Sequence, residues 1–340
     1  PKESITWDFF QDQTQLGFGR SPQKYAMHCR AFFDRCKQED KPFYFMVNSH
    51  DPHRPFYDPD KGPRDDEEVP SRLYSPDEIE VPGFLPDLPL IRKELSWYHN
   101  SVKRLDDTFG AVMNELEDAG LKDNTLVAFL SDNGMAVPFA KCNAYLASTR
   151  TPWMVRWPGV AKGGSVCHEL MSSIDFLPTV LDALGLPALD VVDGQSFVPL
   201  LNGEKQDGRE YMFTQIDSKA GGAATPMRCV QDHQFGYIFN MWVRDDYRYR
   251  NNNEGLTMHA MEEAAPGNPD IAERVKMFRY RVPEELYDLA NDPSCLKNLI
   301  DDLAYTGKAD EMRGILENQM EETGDPVLEA FQNRTSPEIV

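Results

Sequence analysis

The sequence lacks any apolar run of roughly eighteen residues or more, the length that a membrane-spanning helix needs, so no stretch of it reads as such a helix. Its six cysteines, Cys29, Cys36, Cys142, Cys167, Cys229 and Cys295, stand apart, with no CxxC or CxxxC spacing among them. That scatter suggests neither a zinc site nor a disulfide framework and leaves the redox compartment open. Positive charge is also scarce: 35 Lys and Arg stand against 56 Asp and Glu, a formal charge of -21. A nucleic-acid surface needs a basic footprint, so neither a nucleic-acid nor a membrane partner is expected. An anionic substrate would have to be captured by a few local cations or a metal, against the overall field. The chain begins at Pro1 with no Met and no signal-like apolar segment, which reads as a start inside a longer protein.

What is present is ordinary for a globular protein: 41% hydrophobic and 27% charged residues over 340 positions, enough for one large core or a large domain with a smaller one. Residues 23–37 carry Tyr25, Cys29, Phe32, Phe33 and Cys36 at helical spacing. Phe43–Val47 then forms a short continuous apolar run, the pattern of a strand buried on both faces in a parallel sheet. From Asp58 to Pro89 the chain is rich in Pro, Asp and Glu and reads as a long exposed excursion. Residues 91–119 predict an amphipathic helix with Leu95, Tyr98, Val102, Leu105, Phe109, Val112 and Leu116 on its apolar side. Strands are expected at Thr125–Leu130 and Trp153–Trp157, and a capped helix from Ser172 to Gly185. This alternation indicates an α/β layer fold over residues 1–205. After about residue 205 short strands at 211–216, 227–231, 236–242 and 285–288, with a helix over 308–322, predict a small antiparallel sheet and a terminal helix, a subdomain of residues 206–340.

Two of the expected strands end in polar clusters. One is His50-Asp51-Pro52-His53-Arg54; the other is Ser131-Asp132-Asn133-Gly134, with Lys141 beyond it. Ligands in doubly wound folds sit beyond the carboxyl ends of strands. The oxygens of Asp132 and Asn133 suit a hard cation, Ca²⁺ or Mg²⁺, rather than zinc. His53, Arg54 and Lys141 could supply the local positive charge that an anion requires. Each cluster has a plainer reading: Asp-Asn-Gly is good turn chemistry anywhere, and a lone loop histidine or lysine is usually solvated.

At these residues the chain resembles the sulfatases of the alkaline-phosphatase superfamily. FYFMVNSHDPHRPF, DNTLVAFLSDNG, TPWMVRWPGV, SSIDFLPTVLDALGLP and DGQSFVPLLNG match the family's landmarks in order, followed by TPMRCVQDHQFGYIFN and EELYDLANDPSCLKNL. HDPHR and PMRCVQDHQF are most similar to the N-sulfoglucosamine sulfohydrolase (sulfamidase) branch. The resemblance implies an alkaline-phosphatase-like sandwich with a central, mostly parallel sheet flanked by helices. It implies that Asp132 and Asn133 ligate the metal, Ca²⁺ ahead of Mg²⁺. His53 would contact the sulfate and protonate the leaving atom, Lys141 would be a second sulfate-binding cation, and Arg54 would line the pocket. The substrate implied is a sulfated sugar or glycosaminoglycan, and the compartment periplasmic, secreted or lysosomal; no oligomeric state is implied.

The family's nucleophile is a formylglycine made within Cys/Ser-x-Pro/Ala-x-Arg, and no such motif occurs in these 340 residues. The paired aspartates that complete the family's metal site are absent too. The expectation is therefore the C-terminal part of a sulfatase, inactive by itself. Two alternatives stand beside it: a phosphonate or phosphodiester hydrolase of the same superfamily, and a non-catalytic binding protein that keeps the fold.

Overall fold

The computed structural model describes residues 6–206, 208–219, 222–244, 246–250 and 254–334. The chain divides into two compact units, one of Pro1–Val81, Leu85–Thr125 and Gly255–Ala260, the other of Pro82–Phe84, Leu126–Glu254 and Met261–Val340. This cut differs from the division at residue 205 drawn from sequence texture.

The first unit is built on two helices. Helix α1 (Pro22–Glu39) starts where the Ser21 side chain accepts from the Lys24 amide, with Pro22 in the first turn, and stops at left-handed Asp40. Ser and Pro suit these positions because the first helical amides lack intrahelical acceptors. Tyr25, Cys29, Phe32 and Phe33 form its buried face, which packs on α2 (Pro89–Asp118). The run Phe43–Val47 lies along α1. Phe45 stacks on Phe32 with centroids 4.2 Å apart, and Phe43 lies 5.5 Å from Phe33. It is not a strand, however: its backbone is extended but unassigned to any sheet. Tyr44 and Met46 point outward at 57% and 52% exposure. The expected two-sided burial is thus corrected to one-sided burial, because no backbone among the described residues pairs with this run.

Helix α2 corrects the sequence reading in another way. Val102, assigned to its apolar side, is exposed, while Glu94, Asn100, Ser101, Arg104, Thr108 and Glu115 are buried. Four of these, Glu94, Ser101, Thr108 and Glu115, recur at heptad spacing and so share one face. Each is bonded: the Ser101 hydroxyl accepts from the Tyr57 amide at 2.8 Å, the Thr108 hydroxyl donates to the Arg104 carbonyl at 3.0 Å, and Glu115 receives Arg30 in a bidentate pair. The stripe is buried because its polar atoms are satisfied there.

In the second unit β1 (Val127–Leu130) and β2 (Trp153–Arg156) form an antiparallel pair, Val127 opposite Arg156 and Leu130 opposite Trp153. All strand pairings among the described residues are antiparallel, so the expected mostly parallel sheet is not among these pairings; β1 and β2 are joined by residues 131–152, which include the short helix Leu146–Thr149. A buried Asp175, boxed against Ser172, precedes α3 (Phe176–Ala183) and takes both terminal nitrogens of Arg209 at 2.7 and 2.8 Å.

The small sheet forms as expected: β3 (Met212–Ser218), β4 (Ala224–Gln231), β5 (Phe235–Asn240) and β6 (Glu284–Asp288) lie in that order, each antiparallel to the next. Between β5 and β6 come α4 (Gly255–Ala264), whose start belongs to the first unit, and α5 (Pro269–Tyr280). The closing helix α6 (Thr306–Thr323) lays Ala309, Met312, Leu316 and Met320 on Val230, Tyr237, Phe239 and Leu286. Among the described residues no helix is long and apolar enough to cross a membrane. Leu286 is fully buried at the centre of this cluster, so Leu286→Ala should cost about 2–5 kcal/mol, read as a lowered denaturant midpoint at unchanged slope.

Candidate functional site

His53 stands in the first unit on the loop that follows the 43–47 run, and buried ion pairs hold the loop. Asp51, two residues earlier, is 4% exposed and receives Arg104 through Nε at 2.6 Å and Nη2 at 3.1 Å. Arg104 itself is completely buried on α2. Arg20 approaches the same carboxylate at 3.3 Å, pairs with Glu67 at 2.9 Å and donates to the His53 carbonyl at 2.8 Å. The His53 amide donates to the His50 carbonyl at 2.9 Å. His53 Nδ1 lies 2.7 Å from the Arg54 carbonyl. A carbonyl only accepts, so Nδ1 carries a proton. That leaves Nε2, on an exposed ring, as the atom able to meet a substrate.

Arg54 is spoken for. It donates to Glu94 at 2.8 Å and lies 4.3 Å over the Phe56 ring. Glu94, 2% exposed, also accepts from the Leu256 amide at 3.0 Å and from the Thr257 amide and hydroxyl at 2.8 and 2.6 Å. It thereby caps the first amides of α4. Burial pushes the Glu94 carboxyl up, but the Arg54 guanidinium and the Thr257 donors outweigh it and hold the group below the usual carboxylate range. Gly255 is needed here, at φ +50°, since a Cβ would meet Glu94 Oε1 at 2.1 Å.

Asp132, Asn133 and Lys141 belong to the second unit. The loop after β1 is pinned by Ser131 N–H to Pro152 O at 3.2 Å and Gly134 N–H to Ser148 O at 2.8 Å. Gly134 is required by close approach, because a Cβ would sit 2.0 Å from the Ala147 carbonyl oxygen. Asp132 is exposed, and among the described residues neither its carboxylate nor the Asn133 carboxamide has a hydrogen-bond or ion-pair partner. These open oxygens fit a hard cation as a partial ligand set. No group of three or more His, Cys, Asp or Glu among the described residues is arranged to hold a metal, and calcium takes roughly six to eight oxygens.

Lys141 rides on a strained turn. Phe139 and Cys142 adopt φ +72° and +62°, conformations that L-residues reach only where surroundings hold them. The hold is visible: Tyr249 donates its hydroxyl to the Cys142 carbonyl at 2.6 Å, the Asn143 amide donates to the Lys141 carbonyl at 2.9 Å, and buried Arg281 donates to Asn143 Oδ1 at 3.1 Å. Arg281 also donates to the Tyr145 hydroxyl at 3.0 Å, which in turn donates to Glu285 at 2.8 Å. Burial pushes the Tyr145 hydroxyl well above its ordinary range, so it stays protonated and keeps donating.

The family model for sulfatases matches residues 8–186, more than half of the chain. The chain belongs to the sulfatase family. A model for the N-sulphoglucosamine sulphohydrolase C-terminal region matches residues 135–249. Human N-sulphoglucosamine sulphohydrolase is 28% identical over 96% of this chain, and an ulvan-active sulfatase of Formosa agariphila is 30% identical over 76% of it. The chain spans 70% of the first relative's length and 43% of the second's. Among solved structures, the phosphonate monoester hydrolase of Agrobacterium radiobacter aligns with TM-score 0.62 at 18% identity, over 88% of this chain and 60% of its own. A protein solved with its substrate, D-glucosamine-2-N,6-O-disulfate, aligns with TM-score 0.53 at 20% identity, over 71% of this chain and 44% of its own. These likenesses show the alkaline-phosphatase-like fold of the sulfatases, which the two-stranded and four-stranded antiparallel sheets carry only in part.

Sequence reasoning passed over Asp51, Arg20, Glu67, Arg104 and Glu94, the groups that fix the His53 loop. The one legible signal was the heptad recurrence of Glu94, Ser101, Thr108 and Glu115 inside an otherwise amphipathic helix. A group whose folded pKa is depressed contributes stability above its unfolded pKa and loses it as pH falls through the folded value. Glu94→Gln should therefore cost about 1–3 kcal/mol at pH 7. The gap from the unmodified chain should shrink as pH drops below about 4.3, the unfolded value, in urea titrations run across that window.

Proposed function

We propose that this chain is the substrate-binding part of a sulfatase that hydrolyses a sulfate ester or sulfamate on a sulfated sugar. The observation that carries the reading is the pair of unpartnered oxygens on Asp132 and Asn133, set at the end of β1 in a chain of the sulfatase family. Bound there, a divalent cation, Ca²⁺ by family resemblance, would supply positive charge to the sulfate oxygens. Sulfatases meet sulfated substrates at surfaces, in the periplasm or in lysosomes, and this chain is assigned the same setting.

His53 is assigned to the leaving atom. With Nδ1 committed to the Arg54 carbonyl, its Nε2 can bond a sulfate oxygen and, when protonated, deliver a proton to the departing oxygen or nitrogen. Lys141 is assigned to a sulfate oxygen, where a fixed ammonium stabilises charge without reorganising. Arg54, already paired with Glu94, acts by holding the His53 loop rather than by gripping substrate. The nucleophile is not supplied by these residues, which contain no Cys/Ser-x-Pro/Ala-x-Arg motif.

A phosphonate monoester hydrolase is the competing reading, favoured by the fold likeness to one such enzyme. The test is sulfate release from N-sulfoglucosamine and from an aryl sulfate, with a phosphonate monoester alongside, using the protein produced from its natural gene. Lys141→Ala should lower kcat/KM on both sulfated substrates by about 10²–10³-fold. His53→Ala should cost about 10²–10⁴-fold on the sulfamate and less on the aryl sulfate, because an amine needs protonation more than a phenolate does. Turnover of the phosphonate without sulfate release would replace this reading with its competitor, and turnover of none would leave a binding protein.

A further inference from the structure

The Lys141 turn has a second lysine beside it that no part of the sulfatase reading uses. Lys219, just after β3, is 7% exposed. Its stem lies against Gly222, where a Cβ would stand 2.6 Å from its Cε and Cγ, and its ammonium stands 4.6 Å from the centroid of the Tyr249 ring. Tyr249 is the residue whose hydroxyl holds the Cys142 carbonyl. Burial raises the Cys142 thiol, while both Lys141 and Lys219 pull it back down, so the two ammonium groups act on the same side chain.

A buried ammonium ordinarily has a carboxylate or carbonyl within bonding reach, since desolvating it unpaired is costly. Among the described residues Lys219 has neither, and its ammonium faces the Tyr249 ring. The carboxylate that influences it, Glu254, is held by Arg279. Burial lowers the Lys219 pKa; Glu254 opposes this, while Arg250 and Arg279 reinforce it. Packing of the stem on Gly222 would be served by an uncharged methionine. The Tyr249 ring attracts the ammonium, but a ring face offers no hydrogen-bond acceptor of carboxylate strength to a buried ammonium.

We propose that Lys219 binds a second anionic substituent, a sulfate or carboxylate, of a sugar whose first sulfate meets Lys141. This rests on the sulfated-sugar reading above and sharpens it from a monosulfated to a dianionic sugar. A fold relative was solved with a substrate of that class, D-glucosamine-2-N,6-O-disulfate.

Calorimetric titration of the protein produced from its natural gene, in the presence of Ca²⁺, with D-glucosamine-2-N-sulfate and D-glucosamine-2-N,6-O-disulfate tests it. The unmodified chain should bind the disulfate about tenfold more tightly, the worth of one charge-assisted hydrogen bond. Lys219→Met should bring the two affinities together while leaving the monosulfate unchanged, and Lys219→Arg should keep most of the preference. If neither sugar binds, the sulfated-sugar reading itself falls. If both bind and Lys219→Met retains the preference, only the Lys219 assignment falls and the residue is a packing lysine. Should the methionine variant not fold, amine labelling of the unmodified chain read by mass spectrometry decides. Protection of Lys219 by the disulfate and not by the monosulfate supports the assignment, and equal labelling overturns it.

Discussion

The bidentate pair between Asp51 and Arg104, both side chains fully shielded from solvent, is the contact on which the His53 loop depends. Each charge alone would be prohibitive at that depth, and removing one partner of such a pair typically costs about 3–5 kcal/mol. Pairing offsets part of that penalty, with burial still pushing the Asp51 carboxyl up against the arginines, and it adds what a hydrophobic pair could not. Arg104 also reaches the Glu68 carbonyl, and Arg20, sharing Asp51, reaches the His53 carbonyl. The His53 carbonyl and the Glu68 carbonyl are thus tied to one buried charge cluster. The directionality of guanidinium hydrogen bonds, rather than the net energy of the ion pair, is what fixes the imidazole.

The second unit solves the same problem with strain. Lys141 is presented between two residues in left-handed conformations, each disfavoured by about 1–3 kcal/mol. Hydrogen bonds join Arg281, Tyr145, Asn240, Tyr287 and Glu285 into one buried cluster, and Arg281 ties it to the turn through Asn143. Rings of Phe139, Tyr145, Tyr249 and Phe278 surround the Arg281 guanidinium at 4.7–5.8 Å. A satisfied polar network in a low-dielectric interior is stiff, and stiffness is what a turn held against its backbone preference requires.

Much of the chain was legible in sequence because its signals are local. Helix α1 shows its cap and its apolar spacing, and the β3 to β6 sheet shows alternating short runs between turns. The misreadings share a cause. Phe43–Val47 looks like a two-sided strand because apolar content reports capacity for burial and says nothing of whether a backbone partner is present. Helix α2 looks amphipathic in the ordinary sense because Glu94, Ser101, Arg104 and Glu115 read as solvent-facing until their partners Arg54, Tyr57, Asp51 and Arg30 are brought to them by tertiary contact. Asp132, Asn133 and Lys141 stand out as candidates from residue type and position after a strand. Glu94 and Lys219 were not, since burial is what makes a charge informative and a sequence does not display it.

Charge ties these features together. A chain with a net charge of -21 repels an anion at long range, yet that repulsion fades over about 8 Å at physiological ionic strength. Inside that distance only nearby groups matter, and there the acidic excess has been spent elsewhere. Glu67, Glu94, Glu115 and Glu254 are each bound to an arginine. The carboxylates beside the candidate residues are thereby neutralised within the fold, and most surface ones are screened. Asp132, like other exposed carboxylates such as Asp34 and Asp190, has no hydrogen-bond or ion-pair partner among the described residues. Beside the Asn133 carboxamide at the end of β1, it is the group that the proposed function assigns to a cation, and a cation bound there would give an acidic surface a local positive charge with which to meet sulfate.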